Sequence, residues 1–367
     1  MAYTAATPNA YDNALIPFKI RQQYFEEYLG LTPLTVFMGT SASDAIQVFE
    51  TGNGEGLSYR VPFRKDLNYE TPVVGYNQAA GAEQQIQVFE DEIKLNLLRF
   101  VDVLMGVPLT KKYTPIDIYE MMRPLLINAQ KRNLVKGIFD AATTGLYNSA
   151  TGGDGPGANR VIYGTQAHNA SIYTAVGTMS GDATHAGDGL SVQHLRDLKS
   201  LAINGGTTYE AEAKIKPIEL KSKRGFPEET YVYLMDPASY KSLAGDPAWS
   251  DFVYRGVIQS ADQPEGLSGA RYRGTVEGVM VYECPELARY RVTNTQTAAW
   301  NLFLGAQAFG LAWAQRPWFE MEQRDFNLNV AMAACEIRGQ KAMMFPSFQN
   351  TANLVERGII HSFVRTA

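Results

Sequence analysis

A chain of 367 residues, 45% of them hydrophobic and 19% charged, can build one large core or two to three smaller ones, which excludes a disordered protein. Its formal net charge of −5 argues against tight binding to a phosphate backbone, because such binding needs a basic patch. No run of about 18 apolar residues could cross a bilayer, and residues 1–11 lack the basic start and apolar stretch of a signal peptide. The sequence therefore predicts a globular protein that is made and kept in the cytoplasm, at least at first.

The first 50 residues predict an extended arm that contains at least one helix. Ile20, Tyr24, Tyr28 and Leu31 recur at helical spacing before glycine and proline interrupt the pattern. An arm this rich in tyrosine and phenylalanine requires a partner surface for its apolar side chains.

Two strand-like runs, 57–67 and 84–98, follow the arm and are joined by a tip at 68–81 that carries one proline and two glycines. Apolar and polar residues alternate in both runs, so each predicted strand has one apolar face. The apolar members are Leu57, Tyr59, Val61, Phe63, Ile86, Val88, Ile93, Leu95 and Leu97. A two-stranded ribbon alone is marginally stable in water, so this one must lie on its own subunit or on another. We predict that its apolar residues find no core within their own subunit.

The polar face of the ribbon carries charged residues of both signs. Arg60, Arg64 and Lys65 lie on the first strand, where their role depends on the surface that the ribbon contacts. The carboxylate cluster 90–92 lacks the spacing of a calcium-binding loop. It predicts a solvated face, or one that meets the cations of a neighbour.

A linker at 106–113 precedes Thr114-Pro115, a typical helix start. The helix that follows is predicted to run to about 144–145, with Pro124 as a kink or a break. Its apolar stripe comprises Ile118, Met121, Met122, Leu125, Ala129, Leu134, Ile138 and Ala141.

After the glycine-rich run 152–157, residues 161–315 predict an α+β module. The pattern indicates a helix after Ser191, a buried strand at 231–235, a helix that starts at Asp236-Pro237, and a short strand at 278–282. Three more strands are predicted at 326–332, 341–345 and 359–364, with partners near the long helix.

No motif for catalysis, cofactor binding or metal binding is visible in the chain. Cys284 and Cys335 lie far apart without zinc-site spacing and are interpreted as free, buried thiols. The glycine cluster at 52–56 lacks dinucleotide-loop spacing, and no Gly-Lys dipeptide of a P-loop occurs. The four histidines are interpreted as surface loop and helix residues: His168, His185, His194 and His361.

The order of the segments (arm, ribbon, long helix, inserted α+β module, return strands) resembles the major capsid protein of tailed bacteriophages, which has the Hong Kong 97-type fold. The resemblance covers nearly the whole chain. Local sequence adds to it through GLSYRVPF at 56–63, KPI at 216–218, YVYLMDP at 231–237, DPAW at 246–249, NLFLGAQA at 301–308, and the pair Phe326 with Gly339.

This resemblance implies an α+β fold divided into an N-terminal arm (1–50), an E-loop ribbon and its base (51–105), a P-domain with a spine helix (106–150), an A-domain (151–315) and return strands of the P-domain (316–367). It also implies that the ribbon lies over a neighbouring subunit. The assembly contacts are then predicted to be Tyr59, Arg60, Phe63, Arg64 and Lys65.

The resemblance further implies a shell of pentamers and hexamers that encloses double-stranded DNA without sequence-specific binding, in a virion assembled in the bacterial cytoplasm. Expected partners are other copies of the chain and portal, scaffolding and decoration proteins, with no cofactor and no membrane. Two alternatives remain open from the sequence. One is an encapsulin-like compartment for enzyme cargo, and the other is a soluble α+β enzyme that uses His168, His185 or His194.

Overall fold

A computed structural model of the chain describes residues 34–52, 56–64, 88–104, 118–150, 160–163, 166–167, 173–175, 178–179, 189–204, 214–221, 227–254, 271–293, 297–324, 328–346 and 354–366. The strands in these ranges are β1 Met38–Gly39, β2 Ile46–Glu50, β3 Ser58–Arg64, β4 Val88–Lys94, β5 Asn96–Leu104, β6 Val161–Tyr163, β7 Gln166–Ala167, β8 Tyr173–Ala175, β9 Thr178–Met179, β10 Ile218–Lys221, β11 Pro227–Met235, β12 Tyr272–Val276, β13 Val279–Glu283, β14 Val292–Thr293, β15 Thr297–Leu304, β16 Phe309–Arg324, β17 Asn329–Ala342, β18 Met344–Pro346, β19 Leu354–Glu356 and β20 Ile359–Arg365. The α-helices are α1 Ile118–Ala150, α2 Val192–Asn204, α3 Pro237–Ala244 and α4 Pro247–Tyr254, and two 3-10 helices cover Thr35–Phe37 and Pro285–Tyr290.

Two large sheets organise this mixed α and β structure. The smaller has five strands in the order β1-β2-β16-β17-β5, and its centre is the long antiparallel pair of β16 and β17. The larger has eleven strands: seven follow the path β12-β13-β11-β15-β14-β9-β8, β10 pairs with β11, β20 pairs with β15 and β6, and β7 pairs with β6. Two further pairs stand apart from these sheets, β3 with β4 and β18 with β19. None of the helices in the described ranges is both long and apolar enough to cross a membrane.

The long helix α1 is continuous through Pro124 and ends at Ala150, beyond the end predicted at 144–145. Proline removes one backbone N–H donor, and the remaining turns continue because the helix is packed along its length. One residue of the predicted stripe is wrong: Leu125 is 60% exposed, whereas Leu126 is 5% exposed and packs inward. At 100° per residue, the buried residues Met122, Leu126, Ile127 and Gln130 occupy one side of the helix, and Leu125 lies beyond the Met122 edge of that side.

The main core lies around α1 and joins the two sheets. Leu134 and Ile138 of α1 belong to the same buried cluster as Phe309 of the five-stranded sheet and Val232 and Trp300 of the eleven-stranded sheet. The helix therefore holds both sheets in one structure through a shared apolar core.

The last predicted strand has partners other than those expected. β20 pairs along its whole length with β15, from Ala298 opposite Arg365 to Leu304 opposite Ile359. It thus belongs to the sheet of the 161–315 module, although Phe363 also reaches the core around α1. The boundary predicted at 315 falls inside β16, and β1 and β2, from the end of the predicted arm, form one edge of the five-stranded sheet.

The start of α3 shows how the sequence specifies a local element. Asp236 is fully buried, its carboxylate accepts a hydrogen bond from the Ala238 N–H at 3.0 Å, and Pro237 occupies the first helical turn. The helix predicted to start at Asp236-Pro237 is confirmed. The same carboxylate forms a two-point ion pair with Arg291, at 2.5 and 2.6 Å, so it also ties β11 to the segment after the second 3-10 helix.

Replacing Asp236 by alanine is expected to lower the free energy of unfolding by about 3 kcal/mol, because both the helix cap and the partner of Arg291 are lost. Asp246→Ala is the control, since Asp246 accepts from the Ala248 N–H at 2.9 Å and from the Val192 N–H at 2.8 Å, with no cation paired to it among the described residues. The control is expected to cost about 1.5 kcal/mol in urea denaturation, because two hydrogen bonds are lost but no buried cation is left unpaired. Equal losses for the two variants would mean that the Arg291 pair contributes nothing.

Candidate functional site

The ribbon predicted from period-two patterning is present in the described residues. β3 and β4 pair antiparallel, from Ser58 opposite Lys94 to Arg64 opposite Val88. The predicted tip, 68–81, lies outside the described residues. The second predicted run is divided at Leu95, because the chain from Asn96 onward forms β5 in the five-stranded sheet.

Four apolar residues of the ribbon pack on their own subunit, so the prediction that the ribbon finds no core there is wrong for these four, although Leu57 and Val88 are exposed. Val61, Phe63, Ile93 and Leu95 are at most 8% exposed. They form a small core with Ala312 and Met343, and four partly buried residues pack against it: Phe49, Tyr59, Ala314 and Ile337. The base of the ribbon is therefore fixed to the five-stranded sheet by apolar burial.

Two glycines of the five-stranded sheet let the ribbon lie directly on the backbone. A Cβ atom at Gly339 of β17 would lie 2.2 Å from the carbonyl oxygen of Lys94, and one at Gly310 of β16 would lie 2.7 Å from Ile93 Cδ1. Real Cβ contacts are longer than this. Gly339 requires the absence of a side chain because its neighbour is backbone, whereas a Cβ at Gly310 would meet the side-chain ends of Ile93 and of Met343, whose Sδ would lie 2.5 Å away. These two glycines and the apolar contacts above are here called the ribbon seat.

One carboxylate of the 90–92 cluster anchors the ribbon from the face that packs on the sheet, because Asp91 lies directly opposite Val61 in the β3–β4 pair. Asp91 is 2% exposed, its carboxylate pairs with the Lys341 ammonium, and it accepts a hydrogen bond from the Met344 N–H at 3.0 Å. The interpretation of the whole cluster as a solvated face is therefore wrong for Asp91, although Glu90 and Glu92 are exposed. A buried carboxylate with a cation and a backbone donor is satisfied where it lies.

The structure brings the predicted contact residues together only in part. Tyr59 stacks on Phe49 with ring centroids 4.7 Å apart, and Phe63 lies under the Arg357 guanidinium at 4.7 Å. Arg60 forms a 2.9 Å ion pair with Glu90 of the same ribbon, and both side chains are more than 60% exposed.

An ion pair as exposed as Arg60–Glu90 contributes little to stability, so it leaves Arg60 able to exchange partners. Arg64 ends β3, and its side chain lies outside what the structure describes. Lys65 lies outside the described residues altogether.

Apolar side chains that face solvent flank the ribbon seat. Leu57 and Val88 are 79% and 65% exposed, the latter at the last described pair of the ribbon. On the edge strand β5, Leu97, Val101 and Val103 are 40% to 60% exposed. Sequence reasoning missed this strand face. The signal was that residues 97–104 are largely apolar on both faces, which is typical of a strand that is covered twice.

The described histidines are buried structural residues, which corrects their interpretation as surface residues. His194 Nε2 lies 2.8 Å from the Ser362 hydroxyl. Trp300 Nε1–H donates to His361 Nδ1 at 3.2 Å, so Nε2 carries the His361 proton and donates to Glu356 at 2.6 Å. Trp300, His361 and Ser362 belong to β15 and β20 of the eleven-stranded sheet, whereas His194 lies on α2 and Glu356 on β19. His168 and His185 lie outside the described residues.

The two thiols are free and buried, as predicted. Burial raises the pKa of Cys284, and the neighbouring Glu286 carboxylate raises it further. Burial and Glu320 likewise raise the pKa of Cys335. Both sulfurs stay protonated at neutral pH and are poor nucleophiles. Within the described ranges, no group of three or more His, Cys, Asp or Glu side chains is placed to hold a metal ion.

Comparisons with known proteins agree with this geometry. A family model described as phage capsid protein matches residues 9–360. The major capsid protein of Pseudomonas phage KPP25 is 24% identical over 362 residues, which cover 93% of each chain. The capsid of Ralstonia phage GP4 superimposes with a TM-score of 0.67 at 18% identity over 90% of both chains. The capsid asymmetric unit of cyanophage Pam1 gives a TM-score of 0.65 at 18% identity, over 91% of this chain and 92% of that one.

A mixed α and β subunit that matches the phage capsid family model, with phage capsids among its structural relatives, is a structural protein of a virus shell. Because the family match spans nearly the whole sequence, the chain belongs to the phage capsid protein family. The resemblance to major capsid proteins of tailed phages is thereby confirmed. The compartment and enzyme alternatives gain no support from these relatives.

Proposed function

We propose that copies of this chain assemble into pentamers and hexamers of an icosahedral shell with the Hong Kong 97-type subunit fold, which encloses double-stranded phage DNA. The observation that carries the proposal is the ribbon seat. It fixes the described part of the two-stranded ribbon to the five-stranded sheet, while Leu57 and Val88 are 79% and 65% exposed. A projecting element of one copy that contacts the next is a heterologous contact, which can close into rings.

Within this proposal the ribbon is the E-loop, α1 is the spine helix of the P-domain, and the eleven-stranded sheet is the A-domain. The five-stranded sheet then belongs to the P-domain. Because each strand is assigned to the domain of the sheet in which it pairs, β20 falls in the A-domain and all of β16 in the P-domain. The shared core around α1 supports a subunit that moves into the shell largely as one body.

The assembly contacts proposed for the ribbon are Arg64 and Lys65, with Arg60 supporting them. Reversing both charges in Arg64→Glu with Lys65→Glu is expected to reduce the yield of closed shells by at least about tenfold, because like charges then oppose each other at every copy of the contact. Sedimentation velocity of the expressed protein measures the shell fraction directly.

The control variant is Lys216→Glu with Lys241→Glu, which changes net charge equally at two exposed positions outside the ribbon. It is expected to assemble like the wild type. Normal shells from the ribbon variant would disprove the loop contact, whereas failure of both variants would trace the defect to net charge alone.

The same proposal assigns the remaining partners. Portal, scaffolding and decoration proteins would contact the assembled shell, and assembly would take place in the cytoplasm of the host bacterium. The contents of the particle distinguish a virion, which encloses DNA, from a compartment that encloses protein cargo. Nuclease-protected double-stranded DNA in particles purified from infected cells is expected, and particles that contain only protein cargo would support the alternative.

A further inference from the structure

A cleft of about 300 Å³ lies between the middle of α1 and the second 3-10 helix, Pro285–Tyr290. The two walls are held at a fixed spacing by Tyr290. Its hydroxyl donates to Asp140 Oδ1 at 2.6 Å and lies 3.2 Å from the Lys136 carbonyl, and its ring packs edge-on against Phe139. The cleft is therefore rigid on both sides, as a preorganised binding site must be.

Positive charge converges on this cleft, although the whole chain is negative. Its one lining carboxylate, Glu286, accepts two hydrogen bonds from Arg271, at 3.0 and 2.8 Å, and Asp140 beside the cleft pairs with Lys136. Five cations thus stand against two carboxylates at or beside the cleft. Three of the cations have no hydrogen-bond or ion-pair partner in the part of the chain that the structure describes: Lys131 and Arg132 on α1, and Arg289 on the 3-10 helix.

The chemistry of these three groups fits a phosphate better than a carboxylate. A guanidinium presents a planar fork of donors that matches phosphate oxygens, and an ammonium adds a compact charge. A single carboxylate would leave most of the excess charge unmatched, whereas successive phosphates of a nucleic acid could meet cations on both walls. The volume is at the lower end for ligand pockets, about 300–1,000 Å³, and suits a phosphate with its attached sugar.

We propose that the cleft between α1 and the second 3-10 helix binds phosphate groups, with the backbone of enclosed duplex DNA as their source. Naming DNA as the source rests on the proposed shell function, whereas the phosphate chemistry rests on the cleft alone. Each subunit would contribute one cleft, so a shell would contact the DNA at many regularly spaced points. Each contact would be weak, because the chain as a whole carries a net negative charge.

The test compares the purified protein with Lys131→Gln/Arg289→Gln, which removes one cation from each wall. The control, Arg99→Gln/Lys241→Gln, removes one arginine and one lysine at exposed positions outside the cleft. Arg132→Gln is a second cleft variant at an exposed position, and circular dichroism checks that each variant is folded. The probes are a fluorescent duplex of about 20 base pairs, measured by anisotropy between about 50 and 200 mM salt, and inorganic phosphate and poly-glutamate, measured by calorimetry.

The double cleft variant is expected to bind the duplex at least about tenfold more weakly, with a salt slope shallower by about two, while the control stays within about twofold of the wild type. Cleft-dependent binding of inorganic phosphate without duplex binding would uphold the phosphate site with free phosphate as its ligand. Unchanged phosphate and duplex binding in the folded cleft variants would overturn the proposal. So would cleft-dependent binding of poly-glutamate alone. Electron microscopy of the same samples measures shell formation independently of binding. Failure of the proposed shell function can therefore be distinguished from failure of the proposed phosphate site.

Discussion

Replacing Gly339 by alanine is expected to lower the free energy of unfolding by about 3 kcal/mol, because the added Cβ must push the ribbon off its seat. The atom that it would meet, 2.2 Å away, is the backbone carbonyl oxygen of Lys94. That carbonyl cannot rotate aside freely, since the next residue, Leu95, donates its N–H to the Leu57 carbonyl at 2.9 Å. Guanidinium denaturation of the unassembled subunit measures the loss.

Gly137→Ala is the matched control for this prediction. A Cβ at Gly137 would also be too close to its neighbour, but that neighbour is the terminal amide of Gln340, which can turn away. Alanine is preferred over glycine in a helix interior by about 1 kcal/mol, so the net change is expected to be less than about 1 kcal/mol. If Gly339→Ala were as mild as Gly137→Ala, the ribbon would not lie on the sheet as described.

Replacing Arg338 by methionine is expected to cost about 4 kcal/mol, because it leaves the buried Glu336 carboxylate without its cation. The two side chains face each other at 3.0 Å on β17, each at most 1% exposed. Arg338 also donates to Asn133 Oδ1 of α1 at 2.5 Å, so the pair couples the long helix to the five-stranded sheet.

The loss should depend on pH in a defined direction. Burial raises the pKa of Glu336 above its ordinary value of 4.5, and Arg338 opposes that rise. A carboxyl with a raised pKa in the folded state stabilises the fold fully below its unfolded pKa, and this contribution is lost as pH rises through the folded pKa. Without Arg338 the rise is larger, so Arg338→Met should be more destabilising at about pH 8 than at about pH 4.

The double variant Arg338→Met with Glu336→Gln isolates the buried charge. It is expected to recover part of the stability lost by Arg338→Met and to show a weaker pH dependence, because a neutral amide replaces the carboxylate. Denaturation midpoints at the two pH values provide the comparison. An Arg338→Met loss that is the same at both pH values would mean that Glu336 is not ionised inside the protein at neutral pH.

Local sequence was sufficient where the determinants of an element are close in the chain. Asp236-Pro237 contains its own cap and first turn, and α2 keeps Val192, Leu195, Leu198 and Ala202 on one buried face, as its spacing predicts. The two ribbon strands likewise follow from period-two alternation. In these segments, propensity and pattern agree with the final structure.

The burial of the ribbon could not be predicted because its determinants are distant in sequence. Period-two patterning identifies an apolar face but not the surface that covers it. Here that surface depends on Gly310 and Gly339, more than 200 residues away, and on Lys341, which pairs with Asp91 across 250 positions. The same limit explains β20, whose apolar pattern suits either sheet until its pairing with β15 is known.

The comparisons confirm the protein class that the family resemblance implied. The assembly role of the ribbon, which rests on the same resemblance, stays a prediction. Of the five predicted contact residues, however, Tyr59 and Phe63 contact their own subunit in the structure. An isolated period-two pattern cannot distinguish a residue that seats a ribbon from one that contacts a neighbour, because both are apolar.

Electron microscopy of the purified, expressed protein tests the central claim most directly. Self-assembly predicts closed icosahedral particles of uniform diameter, in which each ribbon contacts the adjacent subunit. A stable small monomer, seen by light scattering at the same protein concentration and without particles in the micrographs, would contradict a shell-forming function for this chain.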